Sequence, residues 1–208
     1  MPGTILIADD HPLFRQALAM AAQGVAPDAR PVECANLPAA LGQAAATDDL
    51  ILILLDLKMP GAEGYSGVAL LHAEQPDVPI LVVSSAEAAQ ASRDAIRFGA
   101  VGFVSKDADL ADIESAIADA LAGKRMQPPV DEAIDPVAAQ IASLTPTQLK
   151  VLLGVMEGRL NKQIAYDLGI SEATVKAHMT AILRKLDVQN RTQAVLAAKA
   201  LGLSIVHQ

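Results

Sequence analysis

The sequence predicts an α/β fold, a doubly wound five-stranded parallel sheet, followed by a small all-α domain of four helices. Three observations lead there. Short, nearly continuous apolar runs alternate with helical stretches over residues 1–122, a pattern that buries a parallel sheet between two helical layers. A break at residues 123–143 carries Pro128, Pro129 and Pro136, which no helix interior tolerates. Residues 144–208 then carry helical punctuation alone.

The first strand is Thr4-Ile5-Leu6-Ile7-Ala8, short, apolar and rich in β-branched residues, with the acidic pair Asp9-Asp10 ending it. A helix follows from Pro12, a residue suited to a first helical turn, to Gln23. A weaker second strand lies near Ala29 to Glu33, and Leu37 to Ala46 reads as helix. Leu50 to Leu55 is the third strand and Ser66 to Glu74 the third helix. Ile80 to Val83, then Ala86 to Phe98, continue the alternation, and Gly102-Phe103-Val104 with the helix Leu110 to Ala122 completes it. Five such alternations require right-handed crossovers, with helices on both faces of the sheet. In the break, Val137 to Ile141 is open to being a short helical turn or coil.

Length and composition agree with two cores. The chain has 208 residues and is 52% hydrophobic, enough for two ordinary domains. No apolar run approaches the roughly 18 residues of a membrane helix. Asp9-Asp10 also comes too early for a secretory leader. A cytoplasmic protein without a membrane partner is expected. Cys34 stands alone, which excludes an internal disulfide framework and a cysteine zinc site and leaves a small buried residue. Residues 1–141 hold 8 Lys+Arg against 20 Asp+Glu, whereas residues 142–208 hold 8 against 4. The basic excess is confined to the second segment, where a DNA-binding surface can sit despite the overall charge of −8.

If the apolar runs are strands of one parallel sheet, Asp9, Asp10, Asp56 and Lys106 meet in the crevice at its carboxyl end. Three neighbouring carboxylates repel one another unless they share protons or hold a cation, and an all-oxygen site suits Mg²⁺. Asp56-Leu57-Lys58-Met59-Pro60-Gly61 turns sharply after its strand, which leaves the Lys58 backbone carbonyl free as a further ligand. Ser84 directly follows the fourth apolar run, ahead of Ser85, and its hydroxyl could bond a phosphoryl oxygen; Lys106 could pair with another. Such a site suits a phosphoryl group carried on Asp56 as an acyl phosphate. Taken singly, each residue also fits a duller role as a turn residue, a cap or a surface charge. All of them together at strand ends do not.

These residues, with Ala8-Asp9-Asp10-His11-Pro12-Leu13-Phe14-Arg15, resemble the receiver domain of two-component response regulators, and the LuxR/NarL-type branch in particular. The resemblance implies a flavodoxin-like receiver over residues 1–122, with Asp56 as the phosphoacceptor of a sensor histidine kinase. It further implies that Asp9 and Asp10 hold Mg²⁺, that Ser84 follows the phosphoryl group and that Lys106 clasps it. Phe103 stands at the family's switch aromatic. Gly61 to Gly67 is longer than the family's usual loop.

The second segment speaks through helix ends. Thr145-Pro146-Thr147-Gln148 fits a capping box with proline at the first helical position, opening a helix to about Glu157. Gly158 stops it, a short helix spans about Asn161 to Leu168, and Gly169 turns the chain before Ser171 caps a long helix ending near Leu186. Asn190-Arg191-Thr192-Gln193 opens a fourth, to about Leu201. Two helices across a glycine turn form a helix-turn-helix. In the third helix Val175, Met179, Ile182, Leu183 and Leu186 recur at helical spacing and face inward, leaving Lys176, Ala177, Thr180 and Arg184 outside to meet a major groove.

Residues 144–203 resemble the LuxR-type DNA-binding domain, above all in Asn161-Lys162-Gln163-Ile164-Ala165 and in Ser171 to His178. The resemblance makes Lys176, Ala177 and Thr180 base readers of double-stranded DNA, and Thr174, Lys162, Arg184 and Arg191 phosphate contacts. Gln148 departs from it, since the family commonly has glutamate there. The fourth helix, with Ala194, Val195, Ala197 and Ala198, is the expected contact of an active homodimer.

The expected function is a phosphorylation-regulated transcription regulator, not an enzyme. One alternative is a receiver controlled by a protein partner without phosphorylation. Another is an aspartate-nucleophile phosphatase, but such enzymes resemble Asp-x-Asp, and position 58 here is lysine.

Overall fold

The computed structural model describes residues 3–62, 64–85, 88–126, 140, 141, 143–200 and 203. Strands and helices alternate through the first part: β1 (Thr4–Ala8), α1 (Pro12–Val25), β2 (Arg30–Cys34), α2 (Leu37–Ala46), β3 (Leu50–Leu55), α3 (Ser66–Glu74), β4 (Ile80–Ser84), α4 (Ala88–Arg97), β5 (Gly102–Ser105) and α5 (Leu110–Leu121). The second part holds α6 (Pro146–Met156), α7 (Asn161–Asp167), α8 (Glu172–Lys185) and α9 (Arg191–Ala200).

All strand pairs are parallel, in the order β2-β1-β3-β4-β5. Because successive side chains leave a strand on opposite faces, each central strand feeds two cores. Leu6, Ile53, Leu55 and Val82 pack with Leu37, Val68, Leu71 and Phe98 of the α2–α4 side. Ile5, Ile7, Leu52, Leu54 and Val83 pack with Leu18, Ala21, Ile113 and Ile117 of α1 and α5. The strand order reverses direction between β1 and β3, which opens the ligand crevice of doubly wound sheets at their carboxyl ends.

Some element ends differ from the sequence reading. β2 begins at Arg30 and reaches Cys34, one residue later than expected, because it is an edge strand whose exposed Arg30 and Glu33 blur the apolar run. α1 continues two residues past Gln23 to Val25. The expected start of α4 at Ala86, Glu63 of the 61–67 loop, the proline stretch of the linker and the expected end of α9 at Leu201 lie outside the described residues. Of Val137 to Ile141, Gln140 and Ile141 are described and are helical.

The second part is a four-helix bundle. Leu149, Leu152 and Val155 of α6, Ile164 of α7, Val175, Met179 and Ile182 of α8 and Ala194 and Ala198 of α9 are buried together. Thr145 and Gln148 form the reciprocal capping box that opens α6. Ser171 caps α8 by accepting from Thr174 N at 3.1 Å. Gly158 (φ 77°) and Gly169 (φ 64°) take the left-handed conformation that ends α6 and α7. Lys150 of α6 stands 3.9 Å from Glu74 of α3. No described helix is long and apolar enough to cross a membrane.

Candidate functional site

Strand ends assemble the first site. The Asp56 amide donates to the Ala8 carbonyl at 2.8 Å, which sets the end of β3 beside the end of β1. The Lys106 amide donates to the Ser84 carbonyl at 3.1 Å and joins the ends of β5 and β4 in the same way. Asp9 is fully buried and Asp56 is 2% exposed, whereas Asp10 stands partly in solvent.

Lys106 crosses the crevice. Its Nζ is 2.7 Å from Asp9 Oδ2 and 2.8 Å from Asp56 Oδ2, and it lies 4.8 Å from the centre of the Phe14 ring. Burial pulls the Lys106 ammonium down, but hydrogen bonds to Asp56 and Asp9, and their charges, outweigh that and hold it above its ordinary value. One cation therefore compensates two carboxylates whose mutual repulsion would otherwise be costly at this depth.

The remaining oxygens are held by backbone. Lys58 N donates to Asp56 Oδ1 at 3.2 Å, and His11 N to Asp9 Oδ1 at 2.8 Å. Arg15 anchors the loop from below, donating from Nη1 to the Asp9 carbonyl at 2.7 Å and from Nε to Glu33 at 2.9 Å. His11 Nδ1 lies 2.8 Å from Asp10 Oδ1. One donor atom each from Asp9, Asp10, His11 and Asp56 falls within 4.8 Å of the others. Three carboxylates in that set suit a hard divalent cation. The Ser84 hydroxyl is fully buried at the end of β4 without a hydrogen-bond partner among the described residues. A buried hydroxyl without a partner is costly.

Asp9, Asp10, Asp56, Ser84 and Lys106 thus lie at one end of the sheet. The Lys58 side chain is exposed while its amide faces Asp56. Ser85 is exposed where Ser84 is buried. Phe103 is 6% exposed within the core, and its amide donates to Met126 Sδ at 3.2 Å. Sequence reasoning assigned nothing to His11, Phe14, Arg15 or Met126. The first three lie within six residues of Asp9, in the stretch that opens α1, which by itself does not give their contacts.

The second site is the outer face of α7 and α8. Lys162, Thr174, Lys176, Ala177, Thr180 and Arg184 are all exposed. Lys176 Nζ pairs with Glu172 one turn earlier at 3.1 Å, and the Thr180 hydroxyl donates to the Lys176 carbonyl at 3.1 Å. Thr174 Oγ1 lies 2.8 Å from Ser171 Oγ. Arg191 is only partly exposed and turns inward, donating to Asn161 Oδ1 at 3.1 Å and to the Arg159 carbonyl. Ala194 and Ala198 are fully buried within the bundle, on the side of α9 that packs against α6 and α8, and cannot form a dimer contact, whereas Val195 and Ala197 are partly exposed. The large apolar side chain that α9 exposes is Leu196.

Comparison with known proteins shows the family of both parts of the chain. The model of the response regulator receiver domain matches residues 5–118, and that of the bacterial regulatory proteins of the luxR family matches residues 142–198. The glycerol metabolism activator of Pseudomonas putida is 42% identical over 207 residues, covering 93% of this chain and 94% of its own. The nitrate/nitrite response regulator protein NarL of Escherichia coli K12 is 32% identical, covering 94% of each. A structure of the RcsB response regulator of Salmonella typhimurium, 20% identical, superposes with a TM-score of 0.54 over 95% of this chain and 99% of that one, a likeness of fold alone. With a receiver first and a LuxR-type DNA-binding domain second, this chain belongs to the response regulators of the LuxR/NarL type.

Proposed function

We propose that the protein is a phosphorylation-regulated transcription regulator that receives a phosphoryl group on Asp56 from a sensor histidine kinase and then binds double-stranded DNA as a homodimer. Residues 1–122 are the receiver, 123–143 the linker and 144–208 the DNA-binding domain. The observation that carries this reading is the crevice where Lys106 bridges Asp9 and Asp56 beside the Ser84 hydroxyl, which has no hydrogen-bond partner among the described residues.

In the transfer, an Asp56 carboxylate oxygen attacks phosphorus as the bond from phosphorus to the kinase imidazole nitrogen breaks. The imidazole leaves with that electron pair. Lys106 then trades a carboxylate for a phosphoryl oxygen, and Ser84 donates its hydroxyl to another. Asp9, Asp10, Asp56 and the Lys58 carbonyl would hold Mg²⁺, which would supply countercharge for the phosphoryl oxygens. The inward shift of Ser84 and Lys106 draws on β4 and β5, where Phe103 sits, and biases the face carrying α4 and α5 between two states.

On the DNA side, Lys176, Ala177 and Thr180 read base edges from the exposed side of α8, and Thr174, Lys162 and Arg184 contact phosphates. Anisotropy of labelled duplexes, measured with and without a small acyl phosphate donor and Mg²⁺, tests the coupling. Tighter binding with the donor in wild type, absent in Asp56→Ala, is the expected result. Equal binding in all four conditions contradicts phosphorylation control and favours regulation by a protein partner.

A further inference from the structure

Among the described residues, the polar tie from α9 to the helix-turn-helix runs through one side chain. Arg191, the first residue of α9, donates from Nη1 to Asn161 Oδ1 at 3.1 Å and from Nη2 to the Arg159 carbonyl. Both acceptors belong to the turn that opens α7, and Lys162 is the next residue. The same turn is stitched again by Arg159, which pairs with Glu157 before it and Asp167 beyond it. Gln163 closes it by accepting from the Leu160 amide at 2.7 Å. A short turn between α6 and α7 thus has its position fixed from outside, by a guanidinium 30 residues further along the chain.

We propose that Arg191 is a positioning residue for the DNA-binding surface, which fixes the Arg159–Asn161 turn and through it the Lys162 ammonium, and is not itself a phosphate contact. This rests on the DNA-binding reading above. A guanidinium presents its donors in a rigid fork, and here the fork spans two uncharged oxygens two residues apart. Two of its five N–H donors are engaged in this way, and swinging the side chain out to a phosphate would abandon both bonds. A lysine keeps the charge but offers one nitrogen where the fork offers two, Nη1 for Asn161 and Nη2 for the Arg159 carbonyl. Lys162, by contrast, is exposed and makes no ion pair among the described residues.

The test uses the full chain with Lys162→Ala, Arg191→Ala, Arg191→Lys and the double alanine variant, titrated against a duplex across a salt series. Each lost phosphate contact lowers the slope of log affinity against log salt by about 0.9. Lys162→Ala and Arg191→Ala are each expected to lose one such step, the double variant no more than one, and Arg191→Lys the same step although its charge is kept. A double variant that loses two steps, or an Arg191→Lys that keeps the wild-type slope, overturns the proposal and makes Arg191 a phosphate contact. An Arg191→Ala variant that keeps the wild-type slope also overturns it.

Amide exchange in the DNA-free chain reads the clasp separately. Exchange at Leu160, Gln163 and Ile164, whose amides bond within this turn, is expected to quicken in Arg191→Lys while α8 stays protected. Unchanged exchange there refutes the clasp. A wild type that ignores every duplex refutes the DNA-binding reading instead, and the exchange result still decides what Arg191 holds.

Discussion

Lys106 Nζ lies 2.8 Å from Asp56 Oδ2, although 50 residues separate the two along the chain. The same ammonium reaches Asp9 Oδ2 at 2.7 Å. Three strand ends are therefore held together by one cation among buried carboxylates.

Removing that cation leaves two buried carboxylates facing each other. Lys106→Met is expected to lower stability in chelator by about 3–5 kcal/mol, the usual cost of stripping one partner from a buried pair. Mg²⁺ should restore more of the loss in the variant than it adds to wild type, since it takes over the countercharge. Urea unfolding with EDTA and with Mg²⁺ measures both. Equal Mg²⁺ stabilisation in the two proteins would contradict the shared-countercharge account.

Ser84 contributes nothing to folding through hydrogen bonding among the described residues. Ser84→Ala is therefore expected to be neutral or slightly stabilising in the unphosphorylated protein, yet to weaken the DNA response to a phosphodonor. Thermal melting and donor-dependent anisotropy read the two halves. A clear loss of stability would mean that the hydroxyl already has a partner.

Base reading and phosphate contact separate on α7 and α8. Lys176→Ala is expected to cost roughly 1–3 kcal/mol on a matched duplex and to relax preference at one base pair. Lys162→Ala should weaken matched and scrambled duplexes alike. Equal loss on both duplexes for Lys176→Ala would remove it from the base readers.

His72 supplies a pH dependence away from the crevice. Burial, and then the Arg125 charge, hold its imidazole below the ordinary value. The unfolded chain then binds the proton more readily, so this contribution is full above the ordinary imidazole range near pH ~6.5 and is lost as pH falls below it. His72→Gln should flatten the decline in stability between about pH 7 and 5. Urea midpoints across that range check it, and an unchanged slope would contradict the assignment.

The crevice was legible because a doubly wound sheet gathers its strand ends, so Asp9, Asp10, Asp56, Ser84 and Lys106 needed only their places after apolar runs. The inward face of α8 was legible for a similar reason, since Val175, Met179 and Ile182 repeat at helical spacing and are buried. His11, Phe14 and Arg15 were not, because their part depends on how α1 meets the crevice, which no local pattern encodes. Ala194 and Ala198 misled: small apolar residues at helical spacing mark an inward face without saying whether its cover is the same chain or another. The clasp of Arg191 on Asn161 joins residues 30 apart and leaves no trace in periodicity.

The most direct measurement is intact-mass spectrometry of wild type and Asp56→Ala after incubation with a small acyl phosphate donor and Mg²⁺. Wild type is predicted to gain the mass of one phosphoryl group, and Asp56→Ala none. An equal gain in both proteins, or none in wild type with the cognate kinase also supplied, would contradict Asp56 as the phosphoacceptor.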